Sequence, residues 1–240
     1  MVTAVTFVLA GLVVALGALV QGTVGFGMNV LAAPLLVLTD PRLVPVPAIL
    51  VACAHASLSL WRERAHVDWL GVWWAMVGRL PGIALGVAAV ALLPQQEFSA
   101  LVGMSVLICV GLSLLTWRPA PTPPALVVAG LASGVFGTAS SIGGPPVALL
   151  YQNAGGPRVR ATLAAYFTLG SAASVVSLAL GGQVERYHLL ATAALLPFLV
   201  LGFALSGPAR RYLDAGRVRP AVLAVSAASA VLLVLSGLTG

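Results

Sequence analysis

Arg79 lies deep inside the apolar stretch WLGVWWAMVGRLPGIALGVAAVALLP, Trp69 to Pro94, and its position is the one in this chain that most needs a reason. A guanidinium at membrane depth is expensive to keep, and such groups face a polar path or a bound ion. Its fork of N–H donors matches the oxygens of a sulfonate or similar oxyanion. Two blander roles stay open: snorkelling to the interface past Trp73 and Trp74, or tying down carbonyls released by Pro81.

Two glycine-rich stretches supply a second kind of chemistry, GTVGFGMNVLAAPLL from Gly22 and GVFGTASSIGGPPVALL from Gly134. Each interrupts an otherwise apolar run. Backbone groups freed by such a break must face protein or a wet cavity, because lipid offers them no partner. A helix that restarts after Gly25 and Gly27, or after Gly137, Gly143 and Gly144, aims unpaired N–H groups and its positive dipole end into that cavity, which suits an anion. Proline is tolerated in the first turn of such a helix. Gln21, Asn29, Ser140 and Ser141 add amide and hydroxyl donors nearby, as do Thr23, Thr138, Gln152 and Asn153. The alternative is that the glycines let helices pack closely and the polar side chains satisfy local backbone.

His55, in VACAHASLSLW, is the one histidine well inside an apolar run, either a substrate-facing residue or a packed hydrogen-bonding one. The six acidic residues, Asp40, Glu63, Asp68, Glu97, Glu185 and Asp214, fall in or beside loops. No carboxylate relay or metal-binding cluster is expected in the membrane, so a travelling proton would ride on His55 or on the substrate itself. With no Walker-type phosphate loop, no catalytic constellation and no cofactor motif, the chain reads as a non-enzyme. Cys53 and Cys109 read as packing residues.

The elements that must hold these groups follow from composition. Hydrophobic residues make up 60% of the 240, charged residues 8%, and all 12 basic residues are arginine. With a mean hydropathy of +1.07, this is an all-α integral membrane protein rather than a soluble domain. The net charge of +6 reflects short-loop arginines under the positive-inside rule, and nucleic acid is not an expected partner. The lipid bilayer is.

Sliding the chain by about 112 positions lays Gly22, Gly25 and Pro34 on Gly134, Gly137 and Pro146. Further along, Pro81 and Gly86 fall near Pro197 and Gly202 at a slightly longer offset. The sequence therefore predicts a polytopic bundle of two homologous, inverted repeats, residues 1–117 and 125–240, joined by a Pro-rich linker at 118–124. Each repeat opens with a glycine-broken hairpin. If each break turns the chain back, Arg62, Arg64, Arg118, Arg158, Arg160, Arg210, Arg211, Arg217 and Arg219 share the cytoplasmic side, leaving Arg42 and Arg186 opposite. A plain span at each break divides them less unevenly.

The paired glycine breaks with their following prolines, and the VD and VE dipeptides before spans carrying Pro and Gly, resemble the sulfite exporter TauE/SafE family, also called the toluene sulfonate uptake permease family. The resemblance covers essentially the whole chain. It implies seven or eight spans and a secondary transporter that moves sulfite, sulfoacetate or other organosulfonates across the bacterial inner membrane, often outward. Phe26 and Met28 within the first motif suggest a more apolar cavity and hence an organic sulfonate. An anion channel and an accessory membrane subunit remain the other readings. The candidate site residues for a small sulfur oxyanion are Gln21, Gly25, Gly27, Asn29, His55, Arg79, Gly137, Ser140, Ser141, Gly143 and Gly144. Oligomeric state is left open.

Overall fold

The computed structural model describes residues 4–114, 119–212, 223–232 and 234–235, and the elements among them are helical. Arg118, Arg217 and Arg219, three of the arginines in the sidedness count, lie outside the described residues. The first helices are α1 (Ala4–Val24), α2 (Met28–Thr39), α3 (Val46–Glu63), α4 (Trp69–Leu92) and α5 (Gln95–Leu114). They are followed by α6 (Pro123–Ala139), α7 (Gly144–Tyr151), α8 (Gly156–Leu180), α9 (Arg186–Tyr212) and the short apolar α10 (Leu223–Leu232). Five stretches, Thr6–Thr23, Pro41–His66, Trp69–Leu92, Gly156–Leu180 and Arg186–Ala209, are long and apolar enough to cross a bilayer, which makes this a multi-pass membrane protein.

Local chemistry explains where the helices stop. Gly25 and Gly27 adopt φ of 101° and 107°, a left-handed region that favours glycine, and this ends α1 and starts α2. Asp40 closes α2, and its side chain accepts the N–H of Arg42 at 3.0 Å. Asp68 caps α4 by accepting the Gly71 N–H at 3.2 Å. At the second break Ser141 carries a φ of 61°, uncommon for a non-glycine residue.

Glycine spacing decides the tightest packing. Gly78, Gly82 and Gly86 line one face of α4, and a Cβ at Gly82 would stand 2.3 Å from the Leu131 carbonyl and 3.0 Å from the Gly134 Cα. Helices α4 and α6 therefore touch backbone to backbone, running in the same direction, with Gly130 and Gly134 on the facing side. Helix α9 lies along α1 in the same sense. Gly11 faces Phe198, Gly202 faces Ala15, and Gly22 faces Ser206.

This register differs from the one the prolines suggest. Gly78 rests over Val127 and Gly202 over Ala15, so Gly202 stands on α1 where Gly78 stands on α6. Matching Pro81 to Pro197 instead would place Ala194 there, about two turns away along α9.

The loops sort into two ends. Arg158 binds Asp68 at 3.1 Å and Arg160 binds Glu63 at 2.9 Å, so the chain before α4 and the start of α8 lie together. At the other end Arg42 pairs with Asp40 at 3.1 Å and stacks 4.4 Å from the Tyr187 ring centre, joining the start of α3 to the start of α9. Burial raises the carboxyl pKa of both Asp40 and Asp68. Hydrogen bonds outweigh it, from Arg42 and Tyr187 at Asp40 and from the Gly71 N–H, Arg158 and Tyr151 at Asp68, and hold both below the usual 3.8.

Candidate functional site

The two breaks meet at one cavity. Its wall contains Gln21, Gly27, Asn29 and Val30 from the first break, Gly137, Ser141, Ile142, Gly143 and Gly144 from the second, and Arg79 from α4. Ile49 and Ala52 of α3 and Phe167 and Ser171 of α8 complete it. The space open to the centres of water-sized molecules is about 40 Å³, enough for a few waters or one compact anion.

Arg79 is 2% exposed and has no carboxylate partner among the described residues. Its Nη1 donates to Ser133 Oγ at 3.1 Å, and Ser133 in turn donates to the Gly143 carbonyl, which ties the cation to the second break. Its guanidinium stacks 4.8 Å from the Tyr166 ring centre. Gly137 and Gly170 make room for it, since a Cβ at Gly170 would sit 2.1 Å from Nε and one at Gly137 3.1 Å from Nη2. Nε is buried with no hydrogen-bond acceptor. A buried cation with donors to spare and no counter-ion is a strong electrostatic invitation to an anion.

The first break adds backbone donors. Gln21 Oε1 accepts the Met28 N–H at 3.1 Å, and Leu31 N–H returns to the Gly27 carbonyl at 3.2 Å. Between them, Asn29 and Val30 hold first-turn positions of α2 in the cavity wall, where N–H groups have no carbonyl one turn behind them. The second break offers fewer, because Pro145 and Pro146 follow Gly144 and carry no N–H.

Three of the eleven candidates stand away from the wall. His55 sits behind Gln21, whose Nε2 donates to its Nδ1 at 3.1 Å; its Nε2 donates to the Ala18 carbonyl at 3.0 Å, and its ring meets Phe203 edge-on. Gly25 packs against the Arg160 side chain. Ser140 donates to the Phe136 carbonyl at 2.7 Å. Phe26 and Met28 also lie outside the lining, and Thr23 and Thr138 bond to Val20 and Ser174. The motif glycines thus divide their work: Gly22 and Gly134 pack helices, Gly25 and Gly27 turn the chain, and Gly27, Gly137, Gly143 and Gly144 line the cavity.

Sequence reasoning missed Ser133 and Ser171. Ser133 precedes Gly134 as Gln21 precedes Gly22, so the offset of the glycine motifs carried its signal; Ser171 sits among small residues with no signal of its own.

A second, smaller cavity lies beyond Gln21, lined by Gly22, Gly25, Ala56, Ser59, Glu63, Arg160 and Ala164. Glu63 and Arg160 also line a wide vestibule with Trp61, Arg62, Arg64 and His66. Gln21 thus borders both the central and the smaller cavity, and the Glu63–Arg160 ion pair borders both the smaller cavity and the vestibule at the arginine-rich end. Among the described residues no three His, Cys, Asp or Glu side chains gather as a metal site needs.

Residues 9–233 match the family described as Sulfite exporter TauE/SafE. The chain is 28% identical over 203 residues to a protein of Cupriavidus necator named probable sulfite/organosulfonate exporter TauE, covering 77% of each. No solved structure matches it.

Proposed function

The chain belongs to the sulfite exporter TauE/SafE family, a family of membrane transporters and not of enzymes, and from that premise we propose that it is a secondary transporter carrying sulfur-containing anions across the bacterial inner membrane. The observation that carries the reading is Arg79: a buried guanidinium facing a small cavity, with no carboxylate partner among the described residues and with α2 backbone donors beside it. The relative's name supports sulfite or an organosulfonate as the cargo.

Residues 1–117 and 125–240 act as inverted repeats in this account. The paired packing of α4 on α6 and α9 on α1 supports it, as does the entry of the two broken hairpins from opposite ends: α1 starts beside the Asp40–Arg42 end and α6 beside the Asp68–Arg158 end. Rocking of one half against the other would expose the central site alternately to each side. The arginine-rich vestibule is then cytoplasmic by the positive-inside rule, and substrate enters there for export.

Uptake of radiolabelled sulfite and sulfoacetate into proteoliposomes tests the proposal. Saturable flux that is accelerated by substrate on the far side supports a transporter. Flux that rises linearly without saturation contradicts it and marks a channel, and no flux of any sulfur anion above empty vesicles contradicts the cargo.

A further inference from the structure

The central cavity is not uniformly a donor site. Asn29 is 6% exposed, and its Nδ2 donates to two carbonyls, Ser141 at 3.0 Å and Ala48 at 3.3 Å. Turning the amide over would set its oxygen against both carbonyl oxygens, so the orientation is dictated by its partners. Oδ1 is therefore left as the unpaired end, buried and without a hydrogen bond, on a residue of the cavity wall. Ser141, on the opposite break, commits its hydroxyl proton to the Ser140 carbonyl, so toward the cavity its oxygen is an acceptor only.

Buried acceptors without donors are rare in folded proteins and costly. Arg79 and the first-turn N–H groups of α2 account for the oxygens of an anion. None of them donates to Asn29 Oδ1, which has no hydrogen bond.

We propose that the site selects sulfur oxyanions that carry one hydrogen-bond donor, an N–H or O–H on the sulfur or on the atom next to it, and that Asn29 Oδ1 receives it with Ser141 Oγ alongside. The proposal rests on the anion reading of the cavity and names the ligand class within it. Sites built to hydrogen-bond a substrate N–H or O–H reject analogues lacking it, because the buried partner is left unpaired. A ligand that brings its own proton-bearing group also fits a membrane interior in which the carboxylates of the described residues lie at helix ends or beside loops.

Sulfamate and methanesulfonate make the test. Both are tetrahedral monoanions of nearly equal size, and they differ by an amino group against a methyl group. Calorimetric titration of the full-length protein in detergent is expected to give sulfamate an affinity at least about tenfold higher. In Asn29→Ala that advantage falls below about threefold while both ligands still bind. Equal affinities in the wild-type protein overturn the inference and leave the anion site standing. A sulfamate preference that survives Asn29→Ala overturns the assignment to Asn29. Failure of either ligand, and of sulfite, to bind overturns the anion reading itself. Should Asn29→Ala fail to fold, the wild-type pair decides alone.

Discussion

Where α1 gives way to α2, the backbone is the active part: Gly25 and Gly27 at positive φ turn the chain, Gln21 holds the first N–H of α2, and Asn29 and Val30 of that first turn line the cavity. Where α6 gives way to α7, two prolines remove those donors, and a side chain from another helix replaces them, Arg79 reaching in from α4 to Ser133. The neighbours differ in the same way. Behind the first break α9 presents Phe203 to His55, whereas α4 presents a cation behind the second. Phe203 follows Gly202, which rests on Ala15, as Arg79 follows Gly78, which rests on Val127, 112 positions further along. The two breaks thus build one asymmetric site, its charge on one side and its backbone donors on the other.

Substitution at the matched pair breaks the comparison most sharply. Arg79→Gln is expected to lower anion affinity by on the order of a hundredfold, with circular dichroism and elution volume unchanged, since losing a buried charge-assisted partner costs about 2–5 kcal/mol of binding. Phe203→Leu leaves affinity within about twofold. Equal losses at both positions, measured by titration with sulfite, would erase the asymmetry.

Next in size are the glycines with different duties. Gly134→Ala pushes a Cβ to 2.4 Å from the Arg79 carbonyl and is expected to destabilise by about 1–3 kcal/mol through the α4–α6 contact. Gly27→Ala has open space, with its nearest neighbour at 4.0 Å, and loses about 1–2 kcal/mol to backbone strain alone. Thermal unfolding in detergent compares them, and a silent Gly134→Ala would show that the two helices pack more loosely than the backbone contact requires.

Smaller still are the two polar residues before the motif glycines. Ser133→Ala unhooks Arg79 and lowers affinity by about tenfold, whereas Gln21→Ala leaves the Met28 N–H unpaired and shows mainly as about 1–3 kcal/mol of lost stability. Titration and melting on the same samples separate the two.

The smallest effect is in the pH dependence of stability. Asp40 and Asp68 both have folded pKa values below the ordinary 3.8, so each contributes stability that is present above that value and lost as pH falls through the folded pKa. Asp68→Asn should flatten the acid limb of a melting-temperature profile by a modest amount, because its ion pair with Arg158 is partly solvated.

Much of this is legible in the sequence itself. Composition gave the membrane bundle, the interrupted runs gave the breaks, and Arg79 stood out because an uncompensated cation in an apolar run has few explanations. What the residues could not reveal was direction and register. Gln21 and Ser140 have similar prospects as donors in the sequence, yet one joins the cavity wall and the other bonds back to Phe136, a choice made by the backbone angles at each break. Gly22 and Gly134 look like turn glycines beside Gly25 and Gly137, but α9 and α4 press against them.

The most direct test is to see the anion. Crystals of the protein grown at neutral pH with selenite, an oxyanion that carries an O–H there and whose selenium scatters anomalously, should give a peak in the central cavity within hydrogen-bonding reach of Arg79 and the first-turn N–H groups of α2, and that peak should vanish in Arg79→Gln. A peak confined to the vestibule beside Arg62 and Arg160, with water alone against Arg79, would contradict the account.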